Sequence, residues 1–229
     1  MRLSIIIPTY NERGNIIKLI GKIQRLIPTF DYEIIIIDDD SPDNTGVMVK
    51  KRYSDDARIR CIIRKQSRSL GKSILCGLEK SCGKIIVGMD ADGNHNPAIL
   101  PELIDSLSCY DMIVSSRFVE GGGMQNKYRY LASYGINLFL KIFLKSSVHD
   151  LTSGYYVIKR KALLKLPLDK IYYGYGDYFI RLIYYAQTYG LLLYEKPNYF
   201  SDRWSGQSKS KLWQMTVDYM LTALKLRLT

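Results

Sequence analysis

The sequence predicts an α/β fold with a mostly parallel central sheet. Short runs of branched apolar residues, such as the four isoleucines at 34–37, alternate with stretches in which apolar residues recur every three or four positions. Runs that are apolar throughout are typical of strands buried on both faces, and such strands form parallel sheets when helices separate them. The chain has 229 residues and 47% hydrophobic content, which is enough for one large domain.

The predicted elements follow one another regularly along the first half of the chain. Apolar runs predict strands at residues 3–7, 33–37, 60–64, 85–89 and 112–115. Amphipathic patterns predict helices at 14–26 and 69–81, and another helix opens at Pro97, because proline suits the first turn. Two longer amphipathic stretches follow, near 130–145 and 209–228. We expect one domain over 1–208, which includes the first stretch, and a separate amphipathic helix over 209–229.

Composition narrows the class of protein. The net charge of +11 favours an anionic partner, which is a membrane surface, a phosphate-bearing substrate or nucleic acid. No apolar stretch approaches the ~20 residues that span a membrane, and the first residues do not resemble a signal peptide. The four cysteines show no Cys-x-x-Cys spacing, so we expect reduced thiols in a cytosolic protein and no zinc cluster.

The tripeptide Asp90-Ala91-Asp92 directly follows the apolar run at 85–89. Residues two apart in an extended segment point to the same side, so two carboxylates lie together at the end of a buried strand. They repel each other unless a cation or strong donors lie between them, and oxygen ligands suit Mg²⁺ or Mn²⁺. The alternative is a simple turn, because Asp-Ala-Asp-Gly-Asn is also favourable turn chemistry.

Two other loops are expected at the same place. The first strand ends in Pro8-Thr9-Tyr10-Asn11-Glu12, and the second ends in three aspartates at 38–40, which could also form a helix cap and turn. In an open α/β sheet, ligands bind beyond the carboxyl ends of the strands. Acidic edges suit ribose hydroxyls, base N–H groups and a metal. The Gly-rich motifs of dinucleotide-binding dehydrogenases and P-loop proteins do not occur after any strand.

The motifs of the first half resemble those of the inverting family-2 glycosyltransferases. These motifs are Ile-Pro-Thr-Tyr-Asn-Glu, Asp-Asp-Asp-Ser-Pro-Asp-Asn-Thr, Gly71-Lys72-Ser73, Asp-Ala-Asp and Ser115-Ser116-Arg117-Phe118. The second half resembles, more narrowly, the dolichol-phosphate (polyprenol-phosphate) mannosyltransferases. That likeness rests on Tyr128-Arg129 with Ser133, on Thr152-Ser153-Gly154-Tyr155, and on Phe200-Ser201-Asp202-Arg203-Trp204-Ser205-Gly206-Gln207-Ser208-Lys209. The resemblance implies a nucleotide-diphospho-sugar transferase fold, of the Rossmann-like GT-A type.

The resemblance also implies a role for individual residues. The donor nucleotide is expected to contact Pro8, Tyr10, Glu12, Ile37, Asp39, Asp90, Ala91 and Asp92. The metal ligands are expected to be Asp90, Asp92 and Asn94. The catalytic set consists of Asp92 and of the residues that meet donor or acceptor phosphate, which are Arg117, Arg129, Ser133, Arg203 and Lys209.

Two positions depart from the family pattern. Asn94 stands where members commonly have glutamine, and this shorter amide could bind a metal directly or through a water. Gly93 replaces a more usual apolar residue, which predicts a looser loop.

The sequence therefore predicts a metal-dependent, inverting transferase that moves a hexose, most favourably mannose from GDP-mannose, to dolichyl or polyprenyl phosphate. One alternative is a related enzyme that acts on a saccharide hydroxyl, with Asp177 as general base. Another is a basic, non-catalytic module that binds nucleic acid or membrane. We expect no nucleic-acid partner, because the aspartates repel phosphate and no aromatic-basic strand motif is present.

The two long amphipathic stretches suggest how the chain reaches a lipid. In the second stretch, Trp213, Leu221 and Leu224 fall on one helical face, which can lie in a membrane interface. The alternative is an ordinary helix packed on the domain. We expect a peripheral protein on the cytoplasmic face of a membrane, attached by these helices or by a membrane-protein partner.

Overall fold

The computed structural model of the chain describes residues 2–206 and 212–228. Its strands are β1 (Leu3–Thr9), β2 (Tyr32–Asp38), β3 (Ile59–Ile63), β4 (Ile85–Gly88), β5 (Met112–Ser116), β6 (Gly123–Met124), β7 (Tyr156–Lys159), β8 (Leu193–Pro197) and β9 (Tyr199–Phe200). Its helices are α1 (Ile16–Leu26), α2 (Thr45–Arg52), α3 (Leu70–Glu79), α4 (Leu100–Ser106), α5 (Lys127–Leu144), α6 (Arg160–Leu163), α7 (Leu168–Ile171), α8 (Tyr178–Thr188) and α9 (Leu212–Leu228).

Seven strands form the central sheet, in the order β3-β2-β1-β4-β7-β5-β8. Neighbours pair in parallel except β7, which runs antiparallel to both β4 and β5. The prediction of an α/β fold with a mostly parallel sheet is confirmed. Each predicted strand forms within one or two residues of its expected bounds, while β7, β8, α2 and α8 had not been predicted.

Both faces of the sheet are buried, as the apolar strands require. Because side chains alternate along a strand, Ile5 and Ile7 face the layer of α1 and α4, whereas Ile6 faces the layer of α3, α5, α8 and α9. The C-terminal helix belongs to the second layer, since Tyr219 and Leu226 are buried in its core.

The topology brings several loops to one edge of the sheet. The carboxyl ends of the parallel strands β1, β2 and β4 lie there, and β7 begins there because it runs in the opposite direction. Within the described residues, no helix is both long enough and apolar enough to cross a membrane.

Candidate active site

A cavity of about 540 Å³ opens at the edge where β1, β2 and β4 end. Helices α5 and α9 and the loop after β9 complete its walls. Most of the residues predicted from the sequence line it, namely Pro8, Tyr10, Glu12, Asp39, Asp90, Ala91, Asp92, Asn94, Arg117, Arg129, Ser133 and Arg203. Ile37 does not, because its side chain is buried in the sheet against Gly77. Lys209 lies outside the described residues.

The loop of residues 90–94, here called the β4 loop, is supported from below by His95. The Asp90 backbone N–H donates to His95 Nδ1 at 3.0 Å, and His95 Nε2 lies 3.0 Å from the Ser153 carbonyl. A carbonyl can only accept, so Nε2 carries the proton and His95 is held as one neutral tautomer. The ring is buried and stacks on Tyr155. His95 therefore fixes the backbone from which the Asp90 carboxylate projects.

The Asp90 carboxylate lies among like charges. Its pKa is raised to about 6, chiefly by burial and also by the carboxylates of Asp92 and Glu12, while His95 and Arg203 oppose the shift. The side chain nevertheless keeps 45% of its surface accessible toward the cavity. A carboxyl group with a raised pKa and open access is able to exchange its proton for a cation.

The donor atoms of the β4 loop fit a hard divalent ion. Asn94 Oδ1 is buried and has no hydrogen-bond partner among the described residues, although a buried amide oxygen normally has one. It lines the cavity with the carboxylates of Asp90 and Asp92, so the set offers oxygen atoms only, which Mg²⁺ and Mn²⁺ prefer. Residues 2–206 and 212–228 contain no group of three His, Cys, Asp or Glu side chains placed to bind a metal. Phosphate oxygens or waters would have to complete the coordination.

The β4 loop is not loosened by its glycine. Gly93 has a φ of +82°, which favours glycine, and an added Cβ would lie 2.1 Å from Cδ2 of Trp204. The indole ring thus occupies the space that a side chain at position 93 would fill. The expectation of a looser loop is wrong, because Trp204, which is distant in sequence, packs against it.

The three aspartates at 38–40 divide their roles. Asp38 is structural, because its Oδ1 accepts from Thr9 Oγ1 at 2.8 Å and from Ser41 Oγ at 2.6 Å. Only Asp39 of the three lines the cavity. Asp38 thus plays the structural role expected of a helix cap and turn. Asp39 remains the candidate for contact with a ligand.

Asp39 is fixed by partners at the end of β3 and at the start of α3. Its Oδ1 accepts from Arg64 Nε at 2.8 Å and from Ser73 Oγ at 2.6 Å, and its Oδ2 accepts from the Ser69 N–H at 3.0 Å. Nearby, the Arg68 guanidinium carbon lies 4.0 Å from the centroid of the Tyr10 ring. This end of the cavity therefore offers a held carboxylate, an aromatic face and a cation.

Arg203 bridges two carboxylates at the centre of the cavity. Its Nη1 donates to Glu12 Oε1 at 2.9 Å and its Nη2 donates to Asp92 Oδ2 at 3.0 Å. The bridge joins the loop of residues 201–206, here called the β9 loop, to the ends of β1 and β4. The sequence placed Arg203 at a phosphate, and the structure brings it to the edge of the carboxylate set.

Arg117 is buried and held by a partner that the sequence did not reveal. Its Nε and Nη2 donate to the two carboxylate oxygens of Asp150 at 2.8 and 2.7 Å, and Nη2 also donates to Thr152 Oγ1 at 2.8 Å. Two of the five N–H donors of a guanidinium, those on Nη1, make none of these hydrogen bonds, and Arg117 lines the cavity.

Asn137 organises, from inside α5, the part of the cavity wall that α5 forms with residues 150–153. Its Nδ2 donates to Thr152 Oγ1 and to the Ser133 carbonyl, both at 2.8 Å, and its Oδ1 accepts from the Leu151 N–H at 2.8 Å. Ser133 and Arg129 lie four residues apart on α5 and therefore face the cavity together. The buried amide links this helix face to the loop that holds Arg117.

Asp177, the base of the saccharide-hydroxyl alternative, is used elsewhere. It does not line the cavity. Its Oδ1 accepts from the Tyr175 N–H at 3.1 Å, while its Oδ2 accepts from Thr222 Oγ1 at 3.0 Å and pairs with the buried Arg181. The carboxylate therefore fastens α8 to α9 instead of facing a substrate.

Helices α5 and α9 line the cavity with one face and expose apolar side chains on another. The exposed apolar residues, here called the outer apolar surface, are Leu131, Leu138, Phe139, Ile142, Trp213, Val217, Leu221, Leu224 and Leu228. Trp213 is 81% exposed and Ile142 is 69% exposed. The opposite face of α9 buries Tyr219, Thr222 and Ala223. The helix is thus packed on the domain and exposes an apolar face as well, so the two interpretations made from the sequence are compatible.

Sequence reasoning missed the residues that hold the site together. Arg64 carried a signal. It follows one apolar strand, and the aspartates at 38–40 follow the apolar strand before it, so a contact between the opposite charges could have been expected. His95 also carried one, since it follows Asp90 by five residues in the same loop. Asp150 and Asn137 carried none, because their partners are distant in sequence or hidden in an amphipathic pattern.

Residues 4–166 match the family model described as Glycosyl transferase family 2. The chain is 32% identical over 216 residues to a dolichol-phosphate mannosyltransferase of Pyrococcus furiosus, with 92% of this chain and 60% of that protein covered. It is also 32% identical over 215 residues to a polyprenol monophosphomannose synthase of Mycolicibacterium smegmatis, with 91% and 80% covered. The chain thus spans less than two thirds of the Pyrococcus relative.

Among solved structures, the chain is similar to glucosyl-3-phosphoglycerate synthase from Mycobacterium tuberculosis in complex with Mn²⁺, uridine diphosphate and phosphoglyceric acid. The TM-score is 0.74 at 19% identity, with 99% of this chain and 78% of that chain covered. At this identity the likeness shows the fold, which is the predicted GT-A fold. Because the family model covers most of the chain and two relatives exceed 30% identity, the chain belongs to glycosyl transferase family 2.

Proposed function

We propose that this protein transfers a hexose from a nucleoside-diphosphate sugar to dolichyl or polyprenyl phosphate, with inversion at the anomeric carbon. The observation that carries the proposal is the polarity of the cavity. Carboxylates predominate at the end formed by β1, β2 and β4, where Arg68 also lies, while Arg117 and Arg129 line the remainder and Arg203 stands at the border between the two. This polarity suits a reaction in which a nucleotide and metal occupy one end and an anionic acceptor occupies the other.

The donor binds at the acidic end. The nucleoside lies near Tyr10 and Asp39, where the held carboxylate accepts hydrogen bonds from base or ribose. Asp90, Asp92 and Asn94 would hold Mg²⁺ or Mn²⁺, and the ion, when bound, would supply positive charge that stabilises the departing nucleoside diphosphate. The support is the oxygen-only donor set and the unpartnered Asn94 Oδ1. The names of both relatives favour mannose as the sugar, and GDP-mannose is the favoured donor.

The acceptor is an anion that needs no strong general base. A lipid phosphate is already a nucleophile near neutral pH, so the protein has to neutralise charge and align the two reactants. Arg117 offers its Nη1 donors, and Arg129 and Ser133 offer a charge and a hydroxyl from adjacent turns of α5. Arg203 acts between the two halves, where its guanidinium stays paired with Glu12 and Asp92 and presents its positive charge to a phosphate in the cavity. The predicted role of Lys209 concerns a residue outside the described ones.

The saccharide-hydroxyl alternative is disfavoured by Asp177. Removal of a hydroxyl proton requires a base within hydrogen-bond reach of the acceptor. Asp177 is instead bound to Arg181, Thr222 and the Tyr175 backbone, outside the cavity lining. A non-catalytic basic module is also disfavoured, because a nucleic-acid or membrane surface makes no use of a shaped acidic cavity.

The membrane part of the proposal rests on the outer apolar surface. Trp213 and the exposed leucines of α9, which are Leu221, Leu224 and Leu228, would lie at headgroup level, beside the apolar residues of α5, while the cavity-facing sides of the same helices receive the phosphate. The protein would then work as a peripheral enzyme on the cytoplasmic face, recruited by these helices or by a membrane-protein partner. The division of the chain at residue 208 is part of this proposal. Helix α9 nevertheless packs into the same core as α3, α5 and α8.

A donor and acceptor screen tests the function. The protein is incubated with GDP-mannose or a UDP-hexose and with either polyprenyl phosphate or an oligosaccharide, in Mg²⁺, Mn²⁺ or EDTA. We expect a lipid-linked product that EDTA and Asp92→Asn abolish, while Asp105→Asn, an exposed change outside the cavity lining, leaves it unaffected. A saccharide product, or full turnover in EDTA, would contradict the proposal.

A further inference from the structure

Three hydrogen bonds from the β9 loop to main-chain carbonyls of the β4 loop hold the two loops together. The Ser201 N–H donates to the Asn94 carbonyl at 3.2 Å, and Ser201 Oγ donates to the Gly93 carbonyl at 3.1 Å. The Trp204 N–H donates to the Asp92 carbonyl at 3.1 Å. The two loops therefore form one unit, although more than 100 residues separate them in sequence.

The Trp204 side chain closes this unit. Its indole occupies the space above Gly93, where an added Cβ would meet three ring atoms at 2.1 to 2.7 Å. The ammonium groups of Lys18 and Lys22 also each lie 4.4 Å from the ring centroid. These lysines are four residues apart on α1, so they approach the ring from one helix face. The ring is thus held between α1 and the β4 loop.

Arg203 directly precedes Trp204 in the sequence, and its guanidinium bridges Glu12 and Asp92. On the other side, Ser205 Oγ donates to Asn15 Oδ1 at 2.7 Å, which fixes the loop to α1 but not to the β4 loop. Together with the Ser201 hydroxyl, the Trp204 ring therefore sets the β9 loop against the glycine between Asp92 and Asn94. Because Trp204 directly follows Arg203, its position influences where the arginine stands relative to the carboxylate.

We propose that Trp204 is a positioning residue that fixes Arg203 at one distance from Asp92 and so aligns the acceptor phosphate with the donor diphosphate. The inference rests on the proposed function. Gly93 is the matching half of the device, because only a residue without a side chain admits the ring. The pair explains why a glycine stands at position 93, where an apolar residue is more usual.

Four variants test the inference by transfer kinetics. In Gly93→Ala the new Cβ displaces the indole, and in Trp204→Ala the indole is absent. Both should lower kcat/KM for polyprenyl phosphate at least tenfold, while the Kd of Mn²⁺ with GDP or UDP changes less than threefold. Trp204→Phe, which keeps an aromatic ring, should recover part of the loss. Gly190→Ala is the matched control, because Gly190 also has a positive φ, +71°, but no atom lies within 4 Å of its added Cβ.

Fluorescence gives a readout that does not depend on turnover. The chain has two tryptophans, so Trp213→Phe leaves Trp204 as the only one. In that background Mn²⁺, which is paramagnetic, should quench Trp204 emission when added with nucleotide, because the ion binds beside Asp92. Gly93→Ala should shift the emission toward that of an exposed indole and at least halve the quenching.

The outcomes separate the two proposals. If the wild-type protein does not bind Mn²⁺ and nucleotide by calorimetry, the proposed donor site is refuted, and the inference falls with it. If binding is normal and Trp204→Ala transfers sugar like the wild type, only the inference is refuted. A parallel loss of donor binding, transfer and melting temperature in Trp204→Ala would also refute it, because the residue would then only stabilise the fold.

Discussion

The pairing of Arg117 with Asp150 allows a quantitative prediction. Both side chains are buried, at 7% and 0% exposure, and the carboxylate accepts from two guanidinium nitrogens and from the Arg117 N–H. Asp150→Asn keeps the size of the side chain but removes its charge, so the guanidinium is left uncompensated in the protein interior. Breaking a buried pair in this way typically costs about 3–5 kcal/mol. The amide oxygen still accepts one hydrogen bond, so we expect a loss of about 3 kcal/mol in the free energy of unfolding.

The chain contains a matched control. Arg58 and Asp56 form the same two-pronged contact, with both distances at 2.9 Å, but their side chains are 55% and 25% exposed. Asp56→Asn should therefore cost less than about 1 kcal/mol. Urea unfolding followed by circular dichroism measures both variants, and the larger loss corresponds to a fall of about 6–12 °C in Tm. Equal losses for the two substitutions would refute the reasoning that burial decides the strength of the pair.

Three further predictions concern the carboxylate site, the thiols and the membrane. In EDTA at pH 8, Asp90→Asn should raise Tm by about 2–4 °C. The folded-state pKa of Asp90 is raised to about 6, so its contribution to stability is present at low pH and lost as pH rises through 6. The full shift in pKa corresponds to about 3 kcal/mol in the free energy of unfolding, which we reduce to about 1 kcal/mol because 45% of the side chain is exposed. At pH 4 the substitution should have little effect on Tm. Burial raises the pKa of Cys61 to about 12, so a thiol reagent at pH 8 should label exposed Cys109 long before Cys61; equal labelling rates, resolved by peptide mapping, would contradict this. Leu224→Gln should weaken flotation with anionic vesicles, whereas Val47→Gln, equally exposed on α2, should not; equal effects would exclude the outer apolar surface as the contact.

The parts of the fold that follow from local pattern could be predicted from the sequence. Branched apolar runs gave five strands of the sheet, and the acidic residues after them gave the edge where the cavity opens. Strand β7 was missed because its four residues follow a glycine-containing motif and pair antiparallel, which no local pattern indicates. Strand β8 was missed because it is an edge strand with mixed composition, so it lacks the apolar run of a central strand.

The site residues that face the cavity were predicted better than those that hold them. Asp90, Asp92 and Arg203 belong to motifs, and the structure brings them together. The partners of buried charges are different, because Asp150 lies 33 residues from Arg117 and a charged residue in a loop gives no sign of its partner. Gly93 was noticed as unusual, but its physical cause lies 111 residues further along the chain.

The antiparallel direction of β7 has a consequence for how this scaffold can change. The segment that precedes it, residues 150–153, reaches the cavity edge and carries both the Ser153 carbonyl that receives His95 and the carboxylate that holds Arg117. Four consecutive residues thus underpin the proposed donor half and the proposed acceptor half at once. If the proposed function is right, an insertion or deletion in this segment would disturb recognition of both substrates together, so we expect that specificity for either one can diversify only through the other loops of the edge.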